Sequence, residues 1–169
     1  MSSEVDVLEG ERCPICMKET LTLREQSMDI PYFGLTHIFS MDCSNCDYRV
    51  ADVESDEQRK PIKQSFTVES EEDLSVRVIK SSSATIKIPR MLTIEGGQPD
   101  SEGYITNIEG LLNRFKAVLE ELKQDDDKAV AKKAKNHFKR LQKVLWGQES
   151  LTITLEDKTG NSMIVSDKE

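Results

Sequence analysis

Four cysteines, all that the chain contains, stand as two pairs: Cys13-Pro14-Ile15-Cys16 and Cys43-Ser44-Asn45-Cys46. Two residues between thiols let one tight turn aim both sulfurs at a single point. Two such turns complete a tetrahedron of thiolates, a geometry that d10 Zn2+ accepts without strain. Cys13, Cys16, Cys43 and Cys46 are therefore the candidate metal ligands, and zinc is the expected ion. Four protein ligands leave no position for water or substrate, so such a metal is structural and not catalytic.

Other thiol chemistry fits less well. Cys-Pro-X-Cys as a redox dithiol needs the start of a helix in a βαβ setting, where the helix terminus lowers a thiol pKa. No convincing strand precedes Cys13, and the second pair would be left unexplained. A disulfide framework is expected in secreted chains, but Met1 to Glu11 holds no apolar signal core. A chain of 169 residues also has no need of staples. The expected compartment is the cytoplasm.

The elements that must position the sulfurs follow from hydrophobic periodicity. Residues 1–10 are polar and acidic and read as a flexible tail; residues 11–53 form the four-cysteine module. Between the pairs, Leu21, Leu23, Ile38, Phe39 and Met41 suit a hairpin or three-stranded ribbon that carries the second turn to the first. Ser55 to Lys60 reads as a charged loop. Residues 54–169 then alternate with period two over Ser65–Val68, Leu74–Ile79, Ala84–Ile88 and Met91–Ile94, four short strands. Tyr104-Ile105-Thr106 resumes the sheet.

The period next becomes helical, over about residues 107–146. Thr106 with Glu109 reads as a capping box. Ile108, Leu111, Leu112, Phe115, Val118, Leu119 and Leu122 make one apolar stripe, and Val130, Ala131, Ala134, Phe138, Leu141 and Leu145 make a second. Gly147 ends this α-hairpin. Leu151–Leu155, a Thr159-Gly160-Asn161 turn and Met163–Val165 read as a closing β-hairpin. The fold class is mostly β with an α-hairpin inserted between strands.

The net charge is −8, which opposes the phosphate contacts that dominate nucleic-acid affinity. Lys128 to Lys143 nevertheless holds seven Lys or Arg and no acid. Phe138, the aromatic residue among them, fits the apolar stripe, so the run reads as a solvated helix face. No apolar run is long enough to cross a bilayer.

Beyond the two cysteine pairs, several segments stand in a characteristic order: Ile30-Pro31-Tyr32-Phe33, Cys46-Asp47-Tyr48-Arg49 and Arg77-Val78-Ile79-Lys80-Ser81. Ala84 to Pro89, Thr106 to Leu112, and Asp157 with Gly160-Asn161-Ser162 continue the series. From about Cys13 to Val165 the chain resembles the ZPR-type zinc-finger family. That resemblance implies a four-cysteine zinc ribbon followed by a double-stranded β-helix, or jelly-roll-like, domain carrying a helical hairpin. It also implies a partner-binding or chaperone-like role toward translation elongation factor one-alpha. Eukaryotic members carry two tandem copies of the unit; this chain has one, as single-module archaeal members do.

Tyr32 and Phe33, on a turn expected beside the metal, are candidate partner-binding anchors, or else caps of the small core of the finger. His37 and His137 have no catalytic neighbours, and no Ser/His/Asp set is present. The chain is therefore read as a non-enzyme: a zinc-binding adaptor or folding factor for elongation factor one-alpha. The alternative is a nucleic-acid-binding zinc ribbon. Withdrawal of metal is expected to unfold the cysteine module and spare the β domain.

Overall fold

Two ten-residue strands joined by a short turn make the longest pairing in the molecule. In the computed structural model, which describes residues 4–168, β2 (Leu21–Ile30) and β3 (Gly34–Cys43) pair from Leu21↔Cys43 to Ile30↔Gly34 without a bulge. β4 (Arg49–Ser55) adds to β3, and β1 (Asp6–Glu11) adds to β2, giving an antiparallel order β1-β2-β3-β4. Residues 6–10, expected within a flexible tail, thus belong to a paired strand; residues 1–3 of that tail lie outside the described residues. A strand does precede Cys13, contrary to the reading above, but it leads into an antiparallel sheet and not into a helix.

Two further sheets build the second half. One has the order β5-β10-β7-β8, from Ile62–Val68, Leu151–Asp157, Thr85–Ile88 and Leu92–Ile94. The other has the order β11-β6-β9, from Met163–Val165, Arg77–Lys80 and Tyr104–Asn107. Leu74 and Ser75, expected in a strand, lie in a 3-10 turn over Glu71–Ser75. Asp73 there accepts the backbone N–H groups of Glu69 and Ser70, which curls the chain before β6 begins.

α1 (Ile108–Leu122) and α2 (Lys128–Leu145) form the inserted hairpin. Ile108, Leu111, Leu112, Phe115 and Leu119 of α1 are buried with Phe66, Ile86, Ile88, Ile153 and Leu155 of the sheet. α2 adds Ala134, Leu141 and Val144. The cap of α1 is Asn107, whose side chain accepts the Gly110 N–H at 2.8 Å, and not Thr106. Thr106 is engaged as a β9 residue paired with Val78. Its hydroxyl comes so near Gly110 that a Cβ there would sit 2.2 Å away, so any larger residue would force the Thr106 side chain to shift. Asp127 caps α2 by accepting from Ala129 and Val130.

The last two strands do not pair with each other. β10 lies between β5 and β7, whereas β11 pairs with β6 in the opposite sheet. The segment 158–162 is therefore a corner between sheets, not a hairpin turn. Asp157 organises it from within. Its carboxylate accepts the hydroxyls of Ser81 (2.7 Å), Ser83 (2.9 Å), Thr159 (2.7 Å) and Ser162. Burial pushes this carboxyl up, but hydrogen bonds from Ser162, Ser81 and Thr159 outweigh it and hold the pKa below the usual aspartate range.

The two halves share a core and polar ties. Ile30, Phe33 and Val53 of the cysteine module pack with Ile79 of β6. Ser82 donates its backbone N–H to Asp52 Oδ1 at 2.7 Å and its hydroxyl to Oδ2. The Ser55 N–H donates to Asn161, and Gly103 N–H donates to the Ala51 carbonyl. Gly160 (φ 73) packs so closely that a Cβ would meet the Lys60 carbonyl at 2.3 Å.

Candidate metal centre

The start of β2 and the end of β3 are opposite each other, because Leu21 pairs with Cys43. This register brings the turn before β2 beside the turn after β3. In the first turn Met17 N–H donates to the Cys13 carbonyl and Cys13 N–H to the Lys18 carbonyl, with Met17 at φ 61. In the second, Cys43 N–H donates to the Tyr48 carbonyl, and Ser44 N–H reaches the Thr20 carbonyl across the gap. Lys18 Nζ donates to Asn45 Oδ1 at 3.0 Å and links the two turns at their rims.

The four sulfurs converge. All lie within 4.8 Å of one another, with Cys13–Cys46 and Cys16–Cys43 at 3.7 Å. These are too long for S–S bonds, and all four cysteines are free. A tetrahedron with Zn–S bonds of about 2.3 Å has edges of about 3.8 Å, so the donor set fits zinc in size and chemistry. Leu21, Leu23, Met41 and Tyr48 pack around it as a small local core.

Hydrogen bonding already favours thiolate at two positions. The Thr20 hydroxyl, 3.1 Å from Cys43 Sγ, leads the effects that lower that thiol to about 6, with the Cys46 and Asn45 backbone N–H groups adding to it. Cys16 is lowered chiefly by the Lys18 backbone N–H. Cys46 receives the Tyr48 backbone N–H, but desolvation and the three neighbouring sulfurs outweigh it and push its pKa up to about 12. Four sulfurs at this spacing cannot all ionise without a cation among them. Thr20 was not legible as part of the site, since nothing in its spacing distinguishes it from any strand-initial threonine.

The aromatic pair, expected beside the metal, stands instead on the turn at the opposite end of the β2–β3 hairpin, and its two members separate. Phe33 is 1% exposed, packs on Ile30, Val53 and Ile79, and lies under the Arg59 guanidinium at 4.3 Å. It cannot serve as a surface anchor, because the β domain itself covers it. Tyr32 is 78% exposed and sits at φ 68, an uncommon conformation for an aromatic residue. His37 is occupied away from the sulfurs, with Nδ1 2.8 Å from Ser27 Oγ and Nε2 3.3 Å from Asp56. No helix among the described residues is long and apolar enough to cross a membrane.

Comparison with known proteins agrees with this two-part organisation. Residues 4–61 match a family model described as the ZPR1 zinc-finger domain, and residues 72–169 match the ZPR1 jelly-roll domain. An uncharacterised ZPR1-like protein of Methanocaldococcus jannaschii is 39% identical over 158 residues, which are 92% of this chain and 79% of the relative. A ZPR1-like protein of Pyrococcus horikoshii is 36% identical over 92% of this chain and 72% of its own length. The zinc finger chaperone zpr1 of Schizosaccharomyces pombe is 31% identical over 80% of this chain, but only 30% of that longer protein is spanned.

Proposed function

The chain belongs to the ZPR1 family, and from that premise we propose that it is a non-enzymatic, zinc-binding partner-recognition protein of the cytoplasm. Its partner in this reading is translation elongation factor one-alpha, toward which it acts as an adaptor or folding factor. The elongation factor is taken from the family resemblance. The chaperone role rests on the name of the fission-yeast relative.

Cys13, Cys16, Cys43 and Cys46 would hold the zinc ion. With every ligand position filled by sulfur, it would brace the two turns and perform no reaction.

One observation carries the recognition role. Val5, Val7, Leu8, Ile15, Met17, Tyr32 and Leu35 are exposed large apolar side chains, and all fall within residues 4–61, the stretch that matches the zinc-finger domain. The remaining exposed large apolar residues described, Val118, Val130 and Trp146, are on the helical hairpin or at its end, and none is on strands β5 to β11. Exposed apolar side chains carried on a braced scaffold suit a protein partner. Tyr32, exposed and held at positive φ at the Ile30/Gly34 end of the hairpin, is the anchor we assign.

The test is capture of purified archaeal elongation factor one-alpha by the zinc-loaded chain, with GDP and with a non-hydrolysable GTP analogue. Saturable binding that Tyr32→Ala weakens is the expected result. Absence of binding in both nucleotide states overturns the assignment.

A further inference from the structure

The lysines of α2 are not spread around the helix. Lys128, Lys132, Lys135, Lys139 and Lys143 follow at spacings of four, three, four and four residues and are all exposed. At 100° per residue they fall within an arc of about 80°, a single line about 22 Å long. Trp146, three residues beyond Lys143, continues that line. It is the only tryptophan in the protein and is 57% exposed.

None of the five lysines joins an ion pair among the described residues, although Arg140 on the same helix pairs with Glu149. Like charges one turn apart work against the helix, and here no acid offsets them. Ala134, Leu141 and Val144 of α2 are buried in the core.

The geometry points to the outer face of α2, with Trp146 at its end, as a binding surface for single-stranded RNA. Lysine ammoniums act as point charges that meet successive phosphates without a fixed bidentate geometry, which suits a flexible polyanion laid along the track. An exposed indole at the end of a basic track is a platform for a base. A lipid surface is less well matched, since it needs an apolar helix face to insert, and that face is occupied by the core. The overall charge of −8 does not forbid the contact. At physiological salt charges are screened beyond about 8 Å, so a polyanion lying on the 22 Å track senses chiefly the lysines beneath it.

Trp146 supplies its own probe. The zinc-loaded full chain is titrated with a short single-stranded oligouridine while tryptophan emission is followed, between about 50 and 200 mM salt. Saturable quenching is expected, with log K falling against log salt at a slope of about −3.5 if five phosphates are engaged. Lys135→Gln with Lys139→Gln reduces that slope to about −2. Those substitutions relieve like-charge contacts and keep good helix formers, so unchanged circular dichroism separates lost binding from lost folding. Trp146→Ala, followed by anisotropy of labelled RNA, weakens binding about tenfold at unchanged slope. Lys158→Gln, on the far corner, has no effect.

Absence of quenching at the lowest salt overturns the inference, as does equal sensitivity to Lys158→Gln. So does a response of Trp146 to phosphatidylserine-containing vesicles, or to an acidic peptide, that RNA does not produce. None of these outcomes bears on elongation-factor binding, which is assigned to the cysteine module.

Discussion

Asp52 of β4 accepts both the backbone N–H and the hydroxyl of Ser82, so one carboxylate of the cysteine module fastens a corner of the β domain. The tie stands beside the shared apolar cluster of Ile30, Phe33, Val53 and Ile79. Asp52→Ala leaves the Ser82 N–H without its partner and is expected to cost about 2 kcal/mol. Urea unfolding checks this. A variant with wild-type stability would show that the apolar cluster and the remaining backbone ties hold the halves together without Asp52.

Metal removal should act unevenly along the hairpin. The sulfurs lie at the Leu21/Cys43 end of β2 and β3, and the cluster under Phe33 lies at the other, about 30 Å away along the strands. Chelation or Cys43→Ser is expected to lower the zinc-to-protein ratio and to open the amides around Leu21 and Tyr48. Protection of Ile30, Val53 and Ile79 in hydrogen exchange should persist. This refines the expectation that the whole module unfolds. Uniform loss of protection across β1 to β4 would show that the metal supports all of it.

Phe33 and Tyr32, adjacent in sequence, should respond in opposite ways. Phe33→Ala opens a cavity under Arg59 and is expected to cost about 3–5 kcal/mol. Tyr32→Gly removes an exposed side chain from a left-handed backbone position and should leave stability equal or higher by about 0.5 kcal/mol. Thermal denaturation distinguishes the two. Equal losses would mean that Tyr32 has a packing role the structure does not show.

Asp157 sets an acid limit on the β domain. Its pKa is lower when folded, so its contribution is fully present above the ordinary aspartate value of about 3.9. That contribution is lost as pH falls through the lower folded value. Asp157→Ala strands the hydroxyls of Ser81 and Ser162 and is expected to cost about 3 kcal/mol at neutral pH. The difference from wild type should shrink below about pH 4. Urea midpoints against pH test the sign; a gap that widens in acid would contradict it.

What the sequence determined by itself was local. Cysteine spacing specified the donor set, because two-residue gaps admit few turns that do anything else with four thiols. Period-two and period-3.6 runs specified strands and helices, and Asp127 and Gly147 marked helix ends through their own side-chain and backbone chemistry.

Tertiary structure decided whatever depended on a distant partner. Residues 6–10 became a strand because β2 offered an unpaired edge. Asn107 became the cap because Thr106 was already committed to β9. Strand pairing is a choice among many alternating segments. The hairpin expected from Leu151 to Val165 was therefore opened by longer-range bonds, as β10 joined β5 and β7 while Asp157 gathered hydroxyls across the corner. Burial was likewise undecided in the sequence. Only packing on Ile79 separated Phe33 from Tyr32, and only the seating of α2 on the core left its lysines and Trp146 facing outward together.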